Sequence, residues 1–155
     1  MVKIQTTRFG EVEVSSSSIL RMDAGVLGFE QCKRYVLLED KPESPLKWLQ
    51  AVEDPELAFI VINPMEFVPD YGMELSDEDA ESLGLSAPEE AVVLTTVTVD
   101  QRAKEVTTNL VGPIVVNSRT LAAKQVVLQD ERYGTKHVIG KSTEADAVLE
   151  TSRAA

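Results

Sequence analysis

The feature that most constrains the fold is a Gly-Pro break between two apolar, strand-like segments. The segment 107–111 (TTNLV) precedes Gly112-Pro113, and 114–116 (IVV) follows it before a turn at Asn117. Glycine permits unusual backbone angles and proline lacks the amide hydrogen of a central strand. The pair therefore predicts a strand start, an edge or a bulge. No side chain here is a nucleophile, a strong base or a soft metal ligand, so the segment specifies shape rather than chemistry.

Short alternating segments separated by turn residues recur along the rest of the chain. Apolar and polar residues alternate at 2–6 and 11–14, which predicts an opening hairpin. A second pairing is expected between 92–99 and 106–110, across the turn at 100–102. Further strands are predicted at 19–22, 35–38, 46–52, 57–62, 114–116 and 124–128. The pattern is typical of a mainly-β single domain, a small β-barrel or sandwich.

One short helix is predicted among these strands. Ser76 is a helix-capping residue, and Asp77, Glu78 and Asp79 follow it, where acids favour the positive end of the helix dipole. Gly84 is the expected terminator. The β domain is assigned to residues 1–140, and the polar segment 141–155 is predicted to be a frayed tail.

The predicted core includes residues that alternate along facing strands. β-branched side chains suit a half-buried pleated surface, so such residues are expected to point inward. They are Val97, Val99, Ile114, Val116 and Val127.

The negative charge is concentrated in the middle of the chain. Between Trp48 and Gln101 there are thirteen acidic residues and no Lys or Arg, whereas the whole chain has a net charge of -11. A field of one sign repels nucleic acid and anionic membranes, and it attracts basic partners. A solvated acidic loop that serves solubility alone is the other interpretation.

Length and cysteine content indicate a cytoplasmic protein. The 155 residues suffice for one domain with a real core, and the single Cys32 rules out an intrachain disulfide. The N-terminus becomes polar at once, whereas a signal peptide has a long apolar core, so no signal peptide is predicted. The apolar run at 58–62 is far too short to span a bilayer.

Residues suited to catalysis or to metal binding are sparse. His137 is the only histidine, so a site with several histidines is excluded, and Cys32 with His137 would be the only Cys-His pair. The chain has no G-x-S-x-G elbow, no phosphate-binding loop and no dinucleotide-binding turn. No cofactor and no metal are expected.

Short motifs follow one another in a specific order along the chain. They are Phe9-Gly10, 25–30 (GVLGFE), 48–50 (WLQ), Asp54-Pro55, 58–64 (AFIVINP), Asp70-Tyr71, 108–117 (TNLVGPIVVN) and 125–128 (QVVL). This ordered set resembles the FliW family of flagellar assembly factors over roughly residues 3–134.

The resemblance implies a small β-barrel-like adaptor without catalytic activity. Such a protein binds newly made flagellin in the cytoplasm. It also binds CsrA, a dimeric RNA-binding repressor of flagellin translation. When flagellin is exported, the freed factor captures the repressor and translation resumes. No direct contact with nucleic acid or membrane is expected.

Two sets of residues are candidates for these contacts. Acids on a capped helix would attract a basic repressor, and aromatics near turns would meet an apolar helix of flagellin, although core or rim packing is the commoner role of such residues. Phe59 and Trp48 lie within strand patterns and are assigned to the core. The repressor-binding acids are Glu74, Asp77, Glu78, Asp79 and Glu81. The flagellin-binding aromatics are Phe29, Phe67, Tyr71 and Tyr133.

Two other functions remain open. The first is a dedicated flagellin export chaperone without a repressor partner, and the second is a β-sandwich hydrolase that uses His137. Co-purification of a repressor-type RNA-binding protein would exclude the first. An unchanged phenotype of His137→Ala would exclude the second.

Overall fold

The computed structural model describes residues 1–39, 44–72, 75–100 and 102–141. Within these ranges strands dominate and there is one short α-helix, α1 (Asp77–Ser82). The strands are β1 (Val2–Thr6), β2 (Gly10–Val14), β3 (Ile19–Arg21), β4 (Arg34–Leu38), β5 (Lys47–Ala51), β6 (Ala58–Ile62), β7 (Ala91–Asp100), β8 (Glu105–Thr108), β9 (Ile114–Asn117), β10 (Ala123–Gln125) and β11 (His137–Lys141).

The predicted opening hairpin is present. β1 and β2 pair antiparallel, from Val2 opposite Val14 to Thr6 opposite Gly10. The Thr6 hydroxyl accepts a hydrogen bond from Phe9 N at 2.8 Å and donates to Gly10 O at 2.9 Å, which closes the turn. The inward side chains of the hairpin pack on β4, so it covers part of the larger sheet.

The larger sheet is organised around the ten-residue strand β7. The sheet order is β10-β9-β7-β6-β5-β4-β3, and β8 pairs with the second half of β7, as predicted for the segments on either side of the 100–102 turn. The two ends of the sheet meet at one parallel bridge, Arg21 with Ala122. The expected mainly-β single domain is thus confirmed, but the sheet curls without closing into a continuous barrel.

One strand within the described residues was not predicted. β11 pairs with β8, from His137 opposite Thr108 to Lys141 opposite Glu105, with an irregularity between Val138 and Gly140. Its sequence alternates poorly, and its stability comes from pairing with a strand about thirty positions earlier in the chain. The predicted frayed tail lies outside the described residues, apart from Lys141.

Both faces of β9 are buried. Ile114 and Val116 point into the main core with residues of β3, β4 and β5, whereas Val115 packs on the opposite side against Leu83 and Val126. Leu83 directly follows α1, so the second face of this strand is covered by the chain around the helix. This packing positions α1 on the sheet.

The predicted inward position of Val127 is wrong. Val127 is 53% exposed, whereas Val126 is 6% exposed, so the register beyond β10 differs by one residue from the expected one. The backbone explains this, because Val126 N donates to Pro113 O at 2.9 Å and Leu128 N to Val111 O at 2.8 Å. Val97, Ile114 and Val116 are buried as predicted, and Val99 packs partly buried against the core.

Substituting these adjacent valines in turn tests the register. Val126→Ala is expected to lower the free energy of unfolding by about 1–3 kcal/mol through lost apolar burial and a small cavity. Val127→Ala removes the same two methyl groups from an exposed site and is expected to change it by less than about 0.5 kcal/mol. Chemical denaturation of both variants measures the difference. Equal losses would contradict the assigned register.

Candidate functional site

The helix α1 begins and ends as its sequence predicts. The Ser76 hydroxyl accepts a hydrogen bond from Asp79 N at 3.0 Å, which satisfies an amide of the first turn. At the other end Gly84 has φ +67°, a conformation that glycine adopts without strain. Leu85 N donates to Ala80 O at 3.0 Å and Gly84 N to Glu81 O at 3.0 Å, so these two carbonyls of the last turn are satisfied.

Residues from the β9–β10 region fasten this helix to the sheet. Buried Asn117 donates from Nδ2 to Leu83 O at 2.8 Å and to Gly84 O at 3.3 Å, and its Oδ1 accepts from Arg119 N at 2.9 Å. The Lys124 ammonium donates to an Asp79 carboxylate oxygen. These contacts join segments about 35 to 45 positions apart in the chain, and they hold α1 in one orientation.

Bases from outside the acidic span neutralise part of its charge. Lys124 pairs with Asp79, and Arg119 Nε lies 3.1 Å from Glu90 Oε2. The expectation that the span lacks a compensating base holds along the chain but not in space. Asp77, Glu78 and Glu81 remain exposed on α1, and Glu74 lies outside the described residues.

The two paired carboxyls have depressed pKa values. The hydrogen bond from Lys124 is the main reason that the pKa of Asp79 is lowered, and the bond from Ser76 adds to it. For Glu90 the main cause of the lowered pKa is the backbone amide of Ser86, which donates to Oε1 at 2.6 Å, followed by Arg119. Both side chains are therefore held as carboxylates at neutral pH.

The Asp79–Lys124 pair should make a pH-dependent contribution to stability. Because the folded-state pKa of Asp79 is lowered, this contribution is present above the unfolded-state pKa of about 3.9 and is lost as the pH falls through the lower folded-state value. Asp79→Asn is expected to cost roughly 0.2–1 kcal/mol at pH 7, because the pair is partly exposed, and less at acid pH once the carboxyl is protonated.

A double-mutant cycle isolates this pair. The variants Asp79→Asn, Lys124→Met and their combination are compared by denaturation at both pH values. Coupling at pH 7 that disappears at low pH is the expected result. Additive single effects at pH 7 would show that the contact does not stabilise the fold.

An apolar cleft of about 560 Å³ lies between α1 and the sheet. Its floor is formed by Tyr71 and β-strand side chains, and Met65, which is 45% exposed, stands at its edge. The described lining includes no charged side chain. The lining residues of the helix side and the floor are Leu75, Ala80, Leu85, Pro88, Val93 and Val115.

Tyr71 and Tyr133 are brought together beside this cleft. Their ring centroids are 4.7 Å apart in an edge-on arrangement. The Tyr71 hydroxyl donates to Leu110 O at 2.7 Å, and Gly72 N donates to the Tyr133 hydroxyl at 2.9 Å. Burial raises the pKa of Tyr71 to about 12, so the phenol stays protonated. The two tyrosines therefore hold the backbone at Gly72, which lines the cleft.

The other two predicted aromatics lie elsewhere. Phe29 is 37% exposed and contacts Phe59 edge-on, with 5.2 Å between centroids, whereas Phe67 packs against the core cluster of Ile62. Leu27 is 61% exposed, and we call these two exposed apolar residues of one turn the Leu27–Phe29 lip. Leu27 was not among the predicted residues, since the sequence does not distinguish it from its neighbour Val26, which is buried. Trp48 is buried, as predicted, and Phe59 is half-buried.

The lip is held by a long-range hydrogen bond. Leu27 N donates to Gln125 Oε1 at 2.9 Å, and Gln125 Nε2 donates to Gly112 O at 3.0 Å. Gly25 also requires glycine, since a Cβ there would lie 2.6 Å from Glu30 Cα. The Gly112-Pro113 segment therefore stabilises the turn at Leu27 through Gln125, in addition to joining the strands on either side of it.

The two residues that could form a Cys-His pair differ in burial, and His137 is also the residue named for the hydrolase alternative. Cys32 is buried in the main core beside Tyr35, and its thiol pKa is raised, chiefly by burial. A buried thiol of high pKa is a poor nucleophile. His137 is exposed on β11. Among residues 1–39, 44–72, 75–100 and 102–141 no group of three potential metal ligands occurs, and no helix there is long and apolar enough to cross a membrane.

The fold and the cleft define a small mainly-β protein with an acidic helix fastened beside an apolar surface cleft. Known proteins match this chain over most of its length. The family model described as FliW protein matches residues 3–139. The chain is 43% identical over 136 residues to the flagellar assembly factor FliW of Geobacter sulfurreducens, covering 88% of this chain and 85% of the relative.

Two further comparisons support the same assignment. The flagellar assembly factor FliW of Natranaerobius thermophilus is 42% identical over 137 residues, covering 88% of this chain and 91% of that protein. A crystal structure of the flagellar assembly factor FliW superposes with a TM-score of 0.82 at 33% identity, covering 90% of this chain and 97% of the other. The chain belongs to the FliW family of flagellar assembly factors.

Proposed function

We propose that this protein is a non-enzymatic adaptor that couples the level of flagellin to its translation. It binds flagellin in the cytoplasm and, when free of flagellin, antagonises the RNA-binding repressor CsrA. The observation that carries the proposal is membership of the FliW family over residues 3–139. The exposed acids of α1 and the Leu27–Phe29 lip are two separate surfaces that suit two such partners.

The acidic helix is the proposed contact for the repressor. Asp77, Glu78 and Glu81 are exposed on an element whose caps and sheet contacts keep it ordered. An RNA-binding protein carries basic residues where it meets phosphates, and fixed acids attract them and raise the association rate. Asp79 serves a different purpose in this proposal, because its bond to Lys124 holds the helix in place.

The lip is the proposed contact for flagellin. Phe29 and Leu27 expose apolar area beside half-buried Phe59, which suits the apolar face of an amphipathic helix. The other predicted aromatics hold neighbouring residues in position in this proposal and do not contact flagellin. Tyr71 and Tyr133 fix the chain near Gly72, and Phe67 packs in the core.

The absence of catalysis is part of the proposal. A hydrolase would need a nucleophile next to a base, whereas Cys32 is buried in the core and His137 is exposed on β11. The buried thiol also has a raised pKa, which opposes its ionisation. His137→Ala is accordingly expected to leave flagellar assembly unchanged.

An RNA-release assay tests the proposed function. Labelled flagellin leader RNA is bound to the purified repressor from the same organism, and this protein is then added. Release of the RNA, reversed by added flagellin monomer, is the expected result. Flagellin binding without RNA release would favour the export chaperone, and failure to bind either partner would overturn the proposal.

Flagellin binding is expected to resist salt. Apolar burial is not screened by ions, so a contact at the lip keeps its affinity when the ionic strength is raised. Titration calorimetry at low and at high salt measures this, and Phe29→Ala, which removes an exposed ring, should weaken binding at both. A collapse of affinity at high salt would show that the contact is mainly ionic.

A further inference from the structure

The Leu27–Phe29 lip lies on a tight turn whose middle is not held by burial. Phe29 N donates to Val26 O at 2.7 Å, which closes the turn, and Val26 is buried in the main core. Between these two residues Leu27 is 61% exposed, so its side chain gains little from burial. The position of the Leu27 backbone therefore depends mainly on hydrogen bonds.

The side chain of Gln125 joins this turn to the sheet. Its Oε1 accepts from Leu27 N at 2.9 Å, across 98 positions of the chain, and its Nε2 donates to Gly112 O at 3.0 Å. Gln125 belongs to β10, where it lies opposite the buried Ile114 of β9. A Cβ at Gly112 would lie 3.0 Å from Gln125 Nε2, so the glycine leaves room for this amide. The amide group is thus oriented by the sheet on one side and by the lip on the other.

We propose that Gln125 is a positioning residue for flagellin binding, which holds the lip in the conformation that the partner meets. This inference rests on the proposed function and adds to it the residue that prepares the flagellin contact. Without the bond from Leu27 N, the turn has the binding conformation for only a fraction of the time, and the apparent dissociation constant rises by the inverse of that fraction. Preorganisation of this kind strengthens binding without any new contact.

The variant Gln125→Leu tests this role. Leucine is similar in size, but it can neither accept from Leu27 N nor donate to Gly112 O. Titration calorimetry with flagellin monomer is expected to give an affinity about three- to ten-fold lower than that of the wild type, as for a turn that is correctly placed for roughly a tenth to a third of the time. Gln129→Leu is the matched control, because Gln129 is exposed and lies outside the lip. This control is expected to bind within about two-fold of the wild type.

Two measurements separate positioning from a general loss of stability. In Gln125→Leu, hydrogen exchange of the Leu27 amide should become faster, whereas exchange at buried Leu49 of β5 should stay as in the wild type. An equal rise at both amides would show a global effect and overturn the positioning role. Gln125→Glu keeps an oxygen for Leu27 N and loses the donor to Gly112 O, so it should bind flagellin more tightly than Gln125→Leu. Equal affinities of these two variants would also contradict the proposal.

Removal of the lip side chains shows whether Gln125 acts through them. Gln125 lines a cleft of about 510 Å³ together with Leu27 and Phe59, so a direct contact with flagellin is the competing explanation. In the background Leu27→Ala, Phe29→Ala, the further change Gln125→Leu is expected to alter the affinity by less than about two-fold. The full effect in that background would show a direct contact and overturn the positioning role.

The outcomes separate this inference from the proposed function. If the wild type binds flagellin and Gln125→Leu binds it within about two-fold of the wild type, the inference is wrong and the proposed function stands. A wild-type protein that fails to bind flagellin overturns both.

Discussion

Asn117→Ala is expected to lower the free energy of unfolding by about 2–4 kcal/mol, because a buried carbonyl and two partly buried amides lose their partner at once. The Asn117 side chain is fully buried and bonds both Leu83 O and the amides of Arg119 and Thr120. Alanine leaves the carbonyl of Leu83, the residue just after α1, and both amides without this partner. The helix should loosen before the sheet does.

Two measurements establish this role for Asn117. Chemical denaturation gives the overall loss, and hydrogen exchange at Leu83 and Gly84 reports on the end of the helix. Ser118→Ala is the control, since Ser118 is exposed and its backbone amide, which donates to Glu90 O at 2.8 Å, is kept. A variant with wild-type stability and unchanged exchange would contradict the structural role.

Reversal of the exposed acids on α1 should slow association with the repressor by about ten-fold or more at low salt. The variant Asp77→Lys, Glu78→Lys, Glu81→Lys changes the local charge by six units and leaves the Asp79–Lys124 contact in place. The effect is electrostatic steering, so it should shrink as salt screens the charges. Stopped-flow kinetics over a range of salt concentrations measures it.

A second triple variant separates the local field from the net charge. Glu11, Glu13 and Glu131 are exposed acids on β2 and near Tyr133, and their replacement by Lys changes the net charge equally. This control should slow association far less than reversal on α1. Equal association rates in the two variants would show that α1 is not part of the interface with the repressor. Flagellin binding should persist in both.

Local patterns predicted most of the secondary structure. Alternation located the β1–β2 hairpin and the β7–β8 pair, since the period of a strand is a property of a few successive residues. Ser76 and Gly84 located α1 for the same reason, because a cap acts within one turn. At Val126 and Val127 alternation predicted the wrong register, because backbone bonds to the Gly-Pro segment, and not the local pattern, set the register there.

The sequence by itself determined the mainly-β class, the capped acidic helix and the family, because each depends on local order along the chain. Tertiary structure alone decided which acids are paired, since Lys124 and Arg119 reach Asp79 and Glu90 from about 30 to 45 positions away in the chain. It also created the cleft, which exists only where α1 lies over β7 and β9. Charge pairing and cavity shape depend on distances in space, and no local pattern encodes them.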